Sequence, residues 1–177
     1  MSGHKHDKYG REVLRAAVGP SFTGWGAPVE VDYGTRPPAR IDGAVGQIAV
    51  EVESKTPKQI RGAVLDLIFH RCPKKLLVIL PVYQSNAETT AHQCRYALRR
   101  FVRPEDFRVV VAFGHGDDPR VEMDAEVVRS ALRELGFQTA GSQAAGQRRG
   151  PADARSSCWA GSELSSWDPP RTADAKG

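Results

Sequence analysis

Cysteine is scarce in this chain of 177 residues. Cys72, Cys94 and Cys158 are odd in number and widely spaced, so they form neither a disulfide framework nor the paired knuckle of a zinc module. They read as thiols of a reducing compartment. No apolar stretch approaches the roughly 18 residues of a membrane-spanning helix. The opening residues, MSGHKHDKYG, lack the apolar core of a signal peptide. These absences predict a soluble, cytoplasmic protein with no membrane partner. His70, His92 and His115 show no HxxxH or HxH spacing, so no zinc site is expected. Gly114-His115-Gly116 lacks the GK[ST] signature of a phosphate loop and reads as a turn. Beyond about residue 137 apolar residues thin out among Gly, Ala, Ser, Pro and Arg. Such a segment cannot bury enough surface to offset its ordering entropy. Residues 138–177 are therefore predicted to be a disordered tail, in which Trp159 and Trp167 read as chance occurrences rather than docking points.

Residues 1–137 have the makings of one α/β domain. Over the whole chain, hydrophobic residues make up 40% and charged residues 26%, values ordinary for a globular protein. The net charge of +4 is unevenly spread: Lys55 to Arg108 holds 11 Lys/Arg against Asp66, Glu88, Glu105 and Asp106. A local basic excess suits a polyanion, although a solvated charged surface gives the same signal.

Helices are predicted over Lys8–Val18, from Thr56-Pro57 to about His70, from Ser85 or Asn86 to about Val102, and over Val121–Leu135. The last is capped by Gly136 and carries Met123, Val127, Ala131 and Leu135 as its apolar stripe. Strands are predicted at Val29–Tyr33, at Arg40–Val45 and Gln47–Ser54 as a hairpin turning at Gly46, and at Leu76–Val82 and Phe107–Phe113. The continuous apolar run of Leu76–Val82 fits a strand buried on both faces. The order α-β-β-β-α-β-α-β-α predicts a mixed central sheet flanked by helices.

The chemistry concentrates on that hairpin. Side chains alternate along a strand, so Ile48, Val50 and Val52 share a core face, and Glu51, Glu53 and Lys55 share the other. Asp42 stands on the opposite strand. Carboxylates with waters and substrate phosphate are how Mg2+ is bound. Phosphodiester hydrolysis uses such an ion to neutralise charge and to activate water. A lysine beside it can stabilise developing charge.

The segment resembles the PD-(D/E)XK nuclease superfamily. Asp42 matches the acid of the first hairpin strand, and Glu53-Ser54-Lys55 matches the acid-x-Lys of the second, followed by a helix. The proline of the family name is absent, since Arg40-Ile41 precedes Asp42. The resemblance covers about residues 8–113 and implies a restriction-endonuclease-like core. It also implies an endonuclease that cuts DNA with Mg2+ or Mn2+, with Asp42, Glu53 and Lys55 as catalytic residues. Asp42 and Glu53 would be metal ligands, and Glu51 and Glu12 further ligands. Glu12 is the candidate for the acid that many members carry on the first helix. Glu51-Val52-Glu53 is itself acid-x-acid, an alternative register. Gln59 matches a position used by RecB-like members, but Ala63 stands where their tyrosine would follow.

Lys58 and Arg61, at the positive end of the helix after the motif, are candidate nucleic-acid contacts with Gln59. Arg95 and Arg99 belong to a stripe with His92 and Arg103 on the following helix, and are candidates of the same kind. A homodimer would suit double-strand cleavage. A catalytically inactive nucleic-acid-binding or assembly protein on the same fold is the alternative.

Overall fold

The computed structural model describes residues 3–24, 29–31, 33–34, 39–83 and 86–138. The predicted tail from residue 139, with Cys158, Trp159 and Trp167, lies outside the described residues, as does Ser85. Helix α1 spans Gly3–Val18, five residues earlier than the sequence predicts, and is followed by the short strand β1 (Phe22–Thr23), which sequence reading did not anticipate. Strands β2 (Val29–Val31), β3 (Ala39–Ile41), β4 (Gly43–Val45) and β5 (Ile48–Glu53) come next, then α2 (Pro57–Phe69), β6 (Lys74–Ile79), α3 (Ala87–Leu98), β7 (Phe107–Val111) and α4 (Val121–Glu134).

The main sheet has five strands in the order β1-β4-β5-β6-β7. β1 and β4 pair antiparallel, as do β4 and β5, whereas β5, β6 and β7 run parallel. β2 and β3 form a separate two-stranded antiparallel sheet. The expected strand over Arg40–Val45 is thus broken at Asp42, and its two halves join different sheets. The β4–β5 turn has two residues between the paired Val45 and Ile48, and Gly46 takes a φ of 57° there, where a side chain would be strained.

Both faces of the main sheet are covered. Ile48, Val50, Leu76 and Val78 pack with Tyr9, Val13 and Leu14 of α1 and with Ala125, Val128 and Leu132 of α4. Ala49, Leu77, Ile79 and Val109 pack with Ile60, Val64 and Leu67 of α2 and with Ala91, Cys94 and Leu98 of α3. Burial of β6 on both faces matches its unbroken apolar run.

Two further helices depart from expectation. The α4 stripe is shifted at its start: Ala131 and Leu135 are buried as expected, but Met123 is 51% exposed and Val127 only partly buried, while Asp124, Ala125, Val128 and Leu132 are buried. Asp124 sets this phase, because its carboxylate accepts from the backbone N–H of Phe113 (2.7 Å) and Gly114 (3.0 Å) and from the Tyr9 hydroxyl. Gly136 does cap α4, in a Schellman arrangement: Phe137 N–H donates to Leu132 O (2.9 Å) and Gly136 N–H to Arg133 O (2.8 Å). The other departure is α3, which ends at Leu98 rather than Val102, leaving Phe101 72% exposed. No helix of the described residues is long and apolar enough to cross a membrane.

Candidate functional site

The parallel strands end together at Glu53, Ile79 and Val111. At that edge β5 runs through Ser54 and Lys55 to Thr56, the N-cap of α2. Gln59 Oε1 accepts from the Thr56 backbone N–H (3.4 Å) and hydroxyl (3.1 Å), so its side chain is engaged in capping the helix. Asp42 sits in the break between β3 and β4, against β5. Its Oδ2 accepts the backbone N–H of Val52 at 2.8 Å, and its own N–H donates to Glu51 Oε2 at 3.4 Å. Helix α1 closes the third side. It comes so near β5 that a Cβ on Gly10 would lie 2.9 Å from Val52 Cγ1. That closeness brings Asp7 and Arg11 to the rim of an open pocket of about 230 Å3, whose other walls include Asp42, Glu53 and Lys55.

The structure therefore brings Asp42, Glu53 and Lys55 to one pocket. Lys55 Nζ lies 3.6 Å from Glu53 Oε1. Glu51 stands behind this group, only 5% exposed. The far side of β5, which carries Glu51, is covered by α2 and by β3.

This carboxylate cluster is costly as it stands. Burial raises the Asp42 pKa, against the opposing pull of the Val52 N–H. Burial, then the nearby Asp42 charge, pushes Glu51 up to about 10. Burial raises Glu53 as well, with Lys55 pulling the other way. Asp42 and Glu51 repel each other when both are charged, which favours one proton shared by the pair. Glu53 Oε2 is buried and finds no hydrogen-bond partner. A buried carboxylate oxygen without a donor is rare and unfavourable. A divalent cation fits this donor set, since it would satisfy that oxygen and remove the repulsion that holds the acids protonated.

The remaining predicted residues fall elsewhere. Glu12 is not among the residues that line the pocket and pairs with Lys8 at 3.8 Å. The acid that α1 does bring to the pocket is Asp7, which the predicted helix start at Lys8 left out. Positions 7, 10 and 11 follow the three- and four-residue spacing of one helix face, the signal by which Asp7 and Arg11 could have been found. Lys58 and Arg61 are exposed in the first turns of α2, on the pocket's side of the sheet edge.

Arg95 is committed to the fold. Its Nε and Nη2 donate to Val109 O at 3.2 and 2.7 Å, tying α3 to β7. Arg99 lies over the Tyr96 ring at 4.3 Å, at the C-terminal end of α3. Because α3 runs back along the sheet, that end is near where the parallel strands begin, roughly 15–20 Å from the carboxylates. Arg103, beyond the helix, pairs with Asp106 at 2.6 Å. The predicted basic stripe thus does not flank the pocket.

No family model matches the chain, and neither the curated proteins nor the solved structures yield a match.

Proposed function

We propose that the chain is a divalent-metal-dependent nuclease that hydrolyses phosphodiester bonds in DNA, on a restriction-endonuclease-like core. The observation that carries this reading is the partnerless, buried Oε2 of Glu53, in a pocket shared with Asp42 and Lys55. The order of elements from α1 to β7 and the acid-x-Lys spacing support it.

Asp42 and Glu53 would hold Mg2+ or Mn2+, with Asp7 facing them from α1 and Glu51 behind Asp42. Bound there, the ion would neutralise phosphate charge and lower the pKa of an attacking water. Val52 N–H orients the Asp42 carboxylate. Glu51 takes up or gives back the proton it shares with Asp42 as the cluster is loaded. Lys55, with its side chain 59% exposed, reaches from Glu53 toward solvent, where it can orient the nucleophile or stabilise charge developing on the phosphate. Arg11, Lys58 and Arg61 offer cations to neighbouring phosphates, and the α2 N-terminus adds its dipole.

The test is incubation of the full chain with plasmid and with single-stranded DNA in Mg2+, Mn2+ or EDTA. Cleavage is expected with metal only, falling at least about 100-fold in Asp42→Asn, Glu53→Gln and Lys55→Ala while DNA binding persists. Absence of cleavage, together with no metal-dependent rise in melting temperature, overturns the proposal. Salt-sensitive DNA binding that survives Asp42→Asn and Glu53→Gln, with no cleavage by the wild type, assigns the chain to the non-catalytic alternative.

A further inference from the structure

A second cluster of metal-ligating side chains lies outside the carboxylate pocket. We propose that His6, His115 and Asp117 bind a transition-metal ion of the Zn2+ class, which ties the start of α1 to the turn after β7. Each residue offers one ligand atom, and the three atoms lie within 4.8 Å of one another. His6 stands more than a hundred positions from His115 and Asp117, so the spacing of histidines could not reveal the group. They meet because the turn presses on α1: a Cβ at Gly116 would stand 2.8 Å from the Lys5 backbone.

The two rings are well placed. His6 is only 1% exposed, so its ring is held in place by the fold. Its ring meets His115 edge-on, with centroids 5.9 Å apart, and meets Tyr83 in the same way at 5.6 Å. Gly116 N–H donates to His6 Nδ1, and Asp117 N–H to His115 Nδ1, both at 3.2 Å. The turn itself is closed by paired bonds between His115 and Asp118, at 3.0 and 3.1 Å. Lys5 already rests its ammonium on the Asp117 carboxylate, which marks that position as one a cation occupies.

Two imidazoles and one carboxylate select borderline ions such as Zn2+, Co2+ or Ni2+ over Mg2+ and Ca2+, which prefer all-oxygen shells. Three protein ligands leave a fourth position open to water. Ligand bonds of about 2.0–2.2 Å set neighbouring donors roughly 3.4 Å apart, so the cluster must close by about 1 Å. Asp117, with its side chain 54% exposed, supplies that movement. An ion also displaces Lys5, and the 3.2 Å amide contacts to Nδ1 yield, either to the ion itself or, where Nε2 is the ligand, to the ring proton that moves to Nδ1. Those losses place the expected affinity in the micromolar range.

The proposal is independent of the nuclease reading, and the experiment keeps them apart by using the full chain carrying Asp42→Asn and Glu53→Gln. Zn2+ is titrated into it by calorimetry, with thermal melts in parallel and excess Mg2+ present. One Zn2+ per chain and a raised melting temperature are expected. His115→Ala and Asp117→Asn, at accessible turn positions, should each weaken binding at least tenfold without lowering the metal-free melting temperature by more than a few degrees. Lys5→Met should tighten it, and His4→Ala, the control for terminal histidine binding, should leave it unchanged. Absence of Zn2+ uptake overturns the proposal. So does uptake that survives both turn substitutions, or that His4→Ala abolishes.

Discussion

Glu51 is a carboxyl that burial keeps protonated at neutral pH. Its folded-state pKa of about 10 lies far above the ordinary glutamate value of 4.5. The folded state therefore holds the proton more tightly than the unfolded state does. The associated stability is complete below about pH 4.5 and is lost as pH rises toward 10. Asp42 and Glu53, raised in the same direction, add to that loss. Without metal, Glu51→Gln should melt above the wild type at pH 9 by at least about 3 °C and close to it at pH 5. A gap that is equal at both values, in thermal melts with EDTA, contradicts the assignment. Metal should act in the opposite sense. Since protons must leave before a cation enters, Mn2+ should raise the wild-type melting temperature more at pH 8.5 than at pH 5.5. Potentiometric titration should show protons released on binding.

The elements divide into those that shape the pocket and those that brace the sheet. Helix α1 shapes it, by lying against β5 at a point where only glycine leaves room. Gly10→Ala gains helix propensity but forces α1 away from Val52. The expected outcome is a protein that still folds, with metal affinity and any cleavage reduced about tenfold because Asp7 and Arg11 are moved off the rim. Unchanged metal binding in a calorimetric titration counts against that geometry. Helix α3 braces, and Arg95 is its clamp on Val109. Arg95→Ala should cost about 1–2 kcal/mol in urea unfolding, since a charged donor pair to a partly buried carbonyl is lost. Lys58→Ala, an exposed substitution at the pocket edge, should leave stability within about 0.5 kcal/mol and weaken DNA binding instead. The reverse pattern would move the nucleic-acid surface to α3.

On the scale of the molecule, the described residues close one layered structure with α1 and α4 on one face of the sheet and α2 and α3 on the other. The buried contact between Tyr9 and Asp124 joins its first helix to its last. Arg120 N–H also donates to the Tyr9 hydroxyl, at 3.0 Å. Among the described residues, both cores and the α4 cap close by Phe137. A chain ending at Gln138 should therefore melt within about 2 °C of the full chain, and Asp124→Ala should lower stability by about 2–4 kcal/mol in either. Loss of folding on removal of residues 139–177 would show that the core needs them.

Much of this was legible in the sequence because it depends on local rules. Alternation and apolar runs announced β5, β6 and β7. Thr56-Pro57, Asn86 and Gly136 marked helix ends, since capping is decided within a few residues of chain. The triad Asp42, Glu53 and Lys55 was visible because a hairpin makes its residues neighbours by short-range geometry. What only the tertiary structure decided depends on packing between distant segments. Burial of Glu51 required α2 and β3 to cover the far face of β5. The phase of α4 required Asp124 to meet the backbone after β7. Asp7 rather than Glu12 at the pocket, Arg95 spent on Val109, and His6 set against His115 all depend on which faces the helices turn to the sheet. Periodicity says that a helix has an apolar stripe. It does not say which polar neighbour of that stripe will find a partner across the fold.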